Sequence, residues 1–330
     1  MPKHTELNLQ RSEQYRKSPE EENFLERFNE ELLPLERSHY NDEPPEHPFL
    51  FVIGLPRSGT TLLTQVIAHC LETGFVNNLA ARFWKAPVTG IRFARAVLDK
   101  EPFQAFQSHY GATDRLKDIH EFGYFWREKL NKDDFASIKN APQTEEEIDW
   151  EELRASLAAM QREFGKPIVF KNIFGSYHMP RLNEELNKTL WIWIRRDPLD
   201  TAVSILDARR KYYDDPSHWW SYVPPRYEEI IDEDYWTQIA GQVHYLDAYY
   251  RRQFETMGED GPCLTLSYEE LCADPAAQLE RIRDRLEKLY GRRPGLAQQP
   301  PSSFDHRTYE DRDDEKQKFE SILKTFADHE

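Results

Sequence analysis

An α/β fold, with helices on both faces of a mostly parallel sheet, is what this chain predicts, and three observations carry it. Four short apolar runs, at about 49–54, 167–171, 189–195 and 262–266, alternate with stretches of helical periodicity, the pattern of parallel strands joined by crossover helices. The first run ends in Gly54 and a tight turn from Pro56 to Gly59, after which Thr60 to Cys70 reads as an apolar helix. The third run, Thr189 to Arg195, is rich in Trp and Ile, as a central strand should be. Asp197 and Pro198 follow it as a helix cap with proline at the first position.

Taken in order, residues 1–47 form a polar N-terminal arm that closes on a proline-bearing stretch from Glu43 to Pro48. Apolar residues from Asn23 onward fall at helical spacing, so the arm is expected to pack on the body or on a second subunit. Residues 48–330 are read as a single domain in which 88–160 is a helical insertion, marked by Phe93, Phe103, Phe106, Tyr110, Phe122, Tyr124, Phe125 and Trp126 and closed by a helix from Glu145 to Phe164. These aromatic residues suit either a ligand pocket or the core of a helical subdomain. The segment from Gly165 to Lys171 is a further strand, and Pro262 to Leu266 the last one. Pro275 to Tyr290 is an amphipathic helix whose stripe of Leu279, Ile282, Leu286 and Leu289 reads as core, and a final helix runs from Asp313 to Phe326.

Composition narrows the function. A net charge of -16 without a long basic block argues against nucleic acid as a partner, so any phosphate site must be locally positive. Arg57, Arg196 and Lys171 are the residues able to make it so. Three cysteines offer no disulfide framework, no apolar stretch reaches membrane-spanning length, and Met1 to Asn8 is too polar for a signal peptide. A cytoplasmic protein without a transmembrane segment is the expectation.

The turn after the first strand is built to hold an anion. Successive N–H groups from Pro56 to Gly59 can point inward, and the orphan amides of the following helix face the same spot. The spacing of Gly54 and Gly59 is that of an ATP-binding P-loop, but Thr60 stands where that motif requires lysine, and Arg57 lies inside the turn. With no evident strand-end aspartate for magnesium, transfer chemistry without a metal is favoured. A kinase or nucleotide hydrolase with a degenerate loop, and a non-catalytic nucleotide-binding protein, are the alternatives on these residues alone.

The run Gly54-Leu-Pro-Arg-Ser-Gly-Thr-Thr61 resembles the 5′-phosphosulfate loop of sulfotransferases that use 3′-phosphoadenylyl sulfate (PAPS). The segment from Trp191 to Leu206 resembles that family's 3′-phosphate motif, in which a strand-end arginine and a serine eight residues later hold the phosphate; here these are Arg196 and Ser204. The resemblance implies a P-loop-like three-layer fold with a mostly parallel central sheet, and makes 88–160 an acceptor-binding insertion or lid. It implies PAPS as donor, no metal, and release of adenosine 3′,5′-bisphosphate. The acceptor would be a hydroxyl, with an amine as second choice, on a small molecule, carbohydrate or lipid, and a homo-oligomer is left open.

By the same resemblance, Arg57, Ser58, Gly59, Thr60 and Thr61 bind the phosphosulfate and Lys171 approaches the transferring group. In the cytosolic branch of the family the corresponding strand ends in Lys-Thr-His, whose histidine is the catalytic base, whereas this chain has Lys171-Asn172-Ile173. The base must therefore come from elsewhere: His120 or Glu121 first, then His178, with His69 and Glu72 more remote. The family's late Arg-Lys-Gly loop is absent, which leaves Arg307, and after it Arg312, to close over the nucleotide.

Overall fold

The computed structural model describes residues 8, 11–98, 106, 113, 115–132 and 145–327. Five strands, β1 (Phe49–Ile53), β2 (Gly74–Phe75), β3 (Ile168–Lys171), β4 (Thr189–Arg195) and β5 (Cys263–Ser267), form one sheet in the order β2-β3-β1-β4-β5. Every pairing is parallel, with Phe49 of β1 opposite both Ile168 and Thr189. From β1 the chain passes to the edge strand β2, returns to β3 beside β1, and then crosses to β4 and β5 on the other side. The carboxyl ends of β1 and β4 therefore border the switch point where open α/β sheets bind ligands.

The helices are, in order, α1 (Pro19–Arg37), α2 (Thr60–Cys70), α3 (Pro87–Leu98), α4 (Gly123–Lys129), α5 (Trp150–Phe164), α6 (Met179–Leu186), α7 (Pro198–Tyr213), α8 (Tyr235–Met257), α9 (Tyr268–Ala273), α10 (Pro275–Tyr290) and α11 (Asp313–Ala327). Strand alternation divides the core. Leu50 and Val52 face α2, α9 and α10, while Phe49, Phe51 and Ile53 face the cluster that includes α5, α7 and α8. Phe51 is fully buried and stacks on Trp191 at 4.4 Å between centroids, and burial of such a side chain contributes about 1.5–3 kcal/mol. Leu279, Ile282 and Leu286 are core, as their spacing implies. Among the described residues no helix is long and apolar enough to cross a membrane.

Of the N-terminal arm, α1 packs on the body of the same chain. Glu36, fully buried, accepts from the N–H groups of Val88 and Thr89 at 2.8 and 3.1 Å, capping the start of α3, and Asn29 bonds Arg82 O and Lys85 N–H. Within the insertion, Phe122, Phe125 and Trp126 are core, whereas Phe93 is exposed; Phe103 and Tyr110 lie outside the described residues. The helix expected from Glu145 starts at Trp150 instead. Asp149 accepts from Glu152 N–H at 2.9 Å and so sets the N-terminus, while 145–147 form a separate tight turn. The strand β2 is too short for periodicity to reveal; Gly74 lies there because Phe164 fills the space a side chain would need.

His69, near the end of α2, gives the fold a pH dependence. It is buried against Phe75, with ring centroids 5.0 Å apart, and burial, aided by Lys117, lowers its imidazole to about 4. The unfolded chain binds this proton near 6.5, so the contribution is complete above that value and is lost as pH falls toward 4. At about pH 5 the loss is about 2 kcal/mol. Urea unfolding of His69→Phe is expected to show a flatter acid limb than the parent chain, and identical limbs would exclude the histidine as its source.

Candidate active site

The loop after β1 places its residues by steric demand. A Cβ on Gly54 would stand 2.6 Å from Ile194 O, so glycine alone lets this turn run against β4. Arg57 adopts φ 71°, a left-handed conformation that costs a non-glycine residue about 1 kcal/mol or more, and it persists because the surroundings hold it. Gly59, at φ 97°, caps α2, and the Tyr268 ring occupies the position where its side chain would lie, 2.4 Å from an ideal Cβ. The first-turn amides of α2, from Thr60 onward, have no intrahelical acceptor and form a positive end.

Three cations converge here. Lys171, at the end of β3 and 7% exposed, donates to Thr61 Oγ1 at 2.9 Å and forms an ion pair with Glu121. Arg57 Nε donates to Ser204 Oγ at 3.1 Å. Arg196, immediately after β4 and 8% exposed, donates through Nη1 to Arg57 O at 2.9 Å and through Nη2 to Arg307 O. Its guanidinium lies 4.8 Å from the Tyr268 ring centre and 5.9 Å from that of Tyr309. Asp197 caps α7 by accepting from Asp200 N–H at 2.8 Å, which turns Ser204 toward Arg57 on the helix's second turn.

Two buried polar atoms at this site lack a protein partner among the described residues: Ser58 Oγ and Arg196 Nε. Such groups are costly unless something satisfies them, and an oxyanion ligand would do so. A cleft of about 370 Å³ opens beside Arg196, lined by Arg195, Thr265, Leu266, Ser267, Glu269 and Glu270 at the ends of β4 and β5.

The residues considered as base are separated by the fold. Glu121 lies against Lys171, with its side chain 40% exposed. His120 Nδ1 accepts from Phe122 N–H at 2.8 Å, so in the neutral ring the proton sits on Nε2. Protein packed around this ring, whose outer edge reaches solvent, holds the imidazole below its ordinary value; Glu121 opposes the shift, and Lys17, Lys171 and Arg82 add to it. His178 is placed differently. It is 0% exposed, pairs through Nδ1 with Glu145 at 2.8 Å and packs edge-on to Trp150, so it does not line the open site.

Arg307 is brought to Arg196 through its backbone carbonyl, while its exposed guanidinium lies 5.3 Å from the Tyr309 ring centre. Arg312 is engaged by Asp207 and Glu315. Residues that sequence reasoning missed are Tyr268 and Tyr309, which flank Arg196. The placing of Tyr268 directly after a strand parallel to β4 was the available signal, since it fixes the ring at the same sheet edge. No group of three or more His, Cys, Asp or Glu suited to a metal occurs among the described residues.

Comparison with known proteins agrees with this architecture. A profile described as "Sulfotransferase family" matches residues 48–288. The sulfotransferase STF9 of Mycobacterium avium superposes with a TM-score of 0.52 at 16% identity, over 88% of this chain and 78% of that one, which supports the shared fold. STF1 of Mycobacterium tuberculosis H37Rv gives 0.46 at 15% identity over 78% and 72%, and the sulfotransferase domain of the Synechococcus PCC 7002 olefin synthase gives 0.41 at 18% over 87% and 97%. No curated protein matches the chain in sequence. With the profile spanning well over half of its length, including the loop after β1, the Arg196–Ser204 segment and β5, the chain belongs to the sulfotransferase family.

Proposed function

We propose that the chain transfers a sulfuryl group from PAPS to a hydroxyl acceptor, with an amine as second choice, on a small molecule, carbohydrate or lipid. The observation that carries this reading is the direct linkage of two anion-binding motifs: Arg196 bonds Arg57 O, and Arg57 bonds Ser204, across separations of 139 and 147 residues. The loop from Gly54 to Thr61 then serves as a P-loop-like cradle for the 5′-phosphosulfate. Arg196 and Ser204 take the 3′-phosphate, with Arg307 covering it. The two unpartnered atoms, Ser58 Oγ and Arg196 Nε, fit such a doubly anionic ligand.

PAPS supplies an activated sulfuryl group whose leaving group is adenosine 3′,5′-bisphosphate. The amides of residues 57–61 and the side chains of Arg57 and Lys171 stabilise charge as it gathers on the 5′-phosphate oxygen. Little covalent work falls to the protein, so positioning and electrostatics dominate, as in phosphoryl transfer.

Glu121 is the better base of the two adjacent candidates. The one lone pair of neutral His120 that could accept a proton already receives Phe122 N–H. Glu121 stands on Lys171, at the transferring group, and presents carboxylate oxygens there. The acceptor oxygen bonds to sulfur, the sulfur–oxygen bond to the 5′-phosphate breaks with its electron pair passing to the bisphosphate, and the acceptor proton goes to Glu121.

Calorimetry with adenosine 3′,5′-bisphosphate, beside ATP with magnesium, tests the donor. Tighter binding of the bisphosphate is expected. Preference for magnesium–ATP, with phosphate release, would instead support a nucleotide hydrolase or kinase. Transfer of labelled sulfur from PAPS to compounds in cell extracts then separates an enzyme from a silent binding protein.

A further inference from the structure

The segment from Arg11 to Ser18 links α7 to α4, the two walls that flank Glu121 and Arg57. At one end Ser12 N–H donates to Tyr212 O at 2.8 Å, the Ser12 hydroxyl donates to Lys211 O and Tyr212 O at 3.2 Å each, and Tyr15 stacks on Tyr212 with centroids 4.2 Å apart. At the other end the Lys17 ammonium donates to the Tyr124 hydroxyl of α4 and lies 4.2 Å from that ring's centre, and Tyr124 donates to Glu22. These anchors stand beside the reacting groups. Tyr124 lies in the first turn of α4, three residues after Glu121, and Tyr212 shares α7 with Ser204, the partner of Arg57. Tyr212 follows Ser204 by a little over two turns of α7, about 12 Å along the helix, so it stands beyond the Arg57–Ser204 contact.

We infer that this strap roofs the acceptor side of the site, positions the acceptor against Glu121 through Tyr15 and Tyr212, and keeps water from the sulfur. The inference rests on the transfer reading above. The strap's hydrogen bonds to Lys211 and Tyr124 are solvent-exposed, which suits a segment that lifts for acceptor entry and closes again. Without the roof, water replaces the acceptor: its oxygen bonds to sulfur, the bond to the 5′-phosphate oxygen breaks with its electron pair leaving on the bisphosphate, and the protons pass to solvent.

Ser12→Pro combined with Tyr15→Ala tests the strap. Ser12 has φ −59°, the value proline imposes, so this change removes the N–H and hydroxyl donors without backbone strain at that residue. Hydrogen exchange in the absence of any nucleotide should quicken at residues 57–61 and 120–126 and stay unchanged in β5. Release of inorganic sulfate from PAPS without acceptor should rise severalfold, with unchanged calorimetric affinity for adenosine 3′,5′-bisphosphate. Unaltered exchange at the cleft overturns the roof whatever the donor, and faster exchange with unaltered sulfate release overturns its role in excluding water. Failure of the parent chain to bind the bisphosphate overturns the transfer reading instead and leaves the exchange measurement to decide the roof.

Discussion

Glu121→Gln is expected to lower single-turnover sulfuryl transfer by about 10²–10⁴-fold, the usual loss when a positioned general base is removed. The glutamine keeps the shape of the side chain and can still accept a hydrogen bond from Lys171, so the change acts on proton acceptance and charge rather than on packing. It also removes a negative charge beside Lys171, and the affinity for adenosine 3′,5′-bisphosphate should hold or tighten. His120→Asn is the control. Its Nδ1 lone pair is taken by Phe122 N–H, so most of the activity should survive. Rapid-quench assays with labelled PAPS read both variants, and full transfer by Glu121→Gln would remove the carboxylate from the role of base.

Arg196→Ala is expected to weaken binding of adenosine 3′,5′-bisphosphate by about 10- to 150-fold, from the loss of charge-assisted hydrogen bonds of about 1.5–3 kcal/mol. Adenosine 5′-phosphosulfate, which has no 3′-phosphate, should bind the variant and the parent alike. Equal weakening of both ligands would mean that the arginine serves the architecture of the site and not the 3′-phosphate. That distinction matters because Arg196 is also structural: it ties the loop after β1 to the segment at Arg307 and packs between Tyr268 and Tyr309. Arg196→Lys keeps the charge but loses the fork, so it should fall between the two.

Legibility in the sequence followed the range of the forces involved. The loop from Gly54 to Thr61 was readable because its demands are local: Gly59 needs a left-handed backbone, and the next residues must begin a helix. Arg196 and Ser204 were readable because strand end, aspartate cap and the second turn of α7 follow one another within a few residues. The start of α5 was misplaced by a few residues, since Asp149 is a better cap than anything near Glu145 and caps outrank periodicity at helix ends. β2, only two residues long, has too little periodicity to detect, and its pairing to β3 depends on where the chain returns.

His120 and Glu121 show the boundary most clearly. They are neighbours in the chain, equally able to take a proton, and spacing does not say which one meets Lys171. That follows from where the turn before α4 is pinned, by His120 N–H to Val76 O and by Phe122 N–H back to the His120 ring. His178, the next choice after them from the chain alone, is carried into the interior by the turn before α6 and committed to Glu145. The pairing of Tyr15 with Tyr212 and the seat of Tyr268 against Gly59 likewise join segments nearly two hundred or more residues apart. Local chemistry along the chain determined β1, β3, β4 and β5, the loop after β1, the Arg196–Ser204 segment and the cations near them, because backbone conformation and capping depend on near neighbours. Tertiary structure alone decided which of those groups face one another, because contacts between distant residues are set by the order of strands in the sheet and by how its helices close over it.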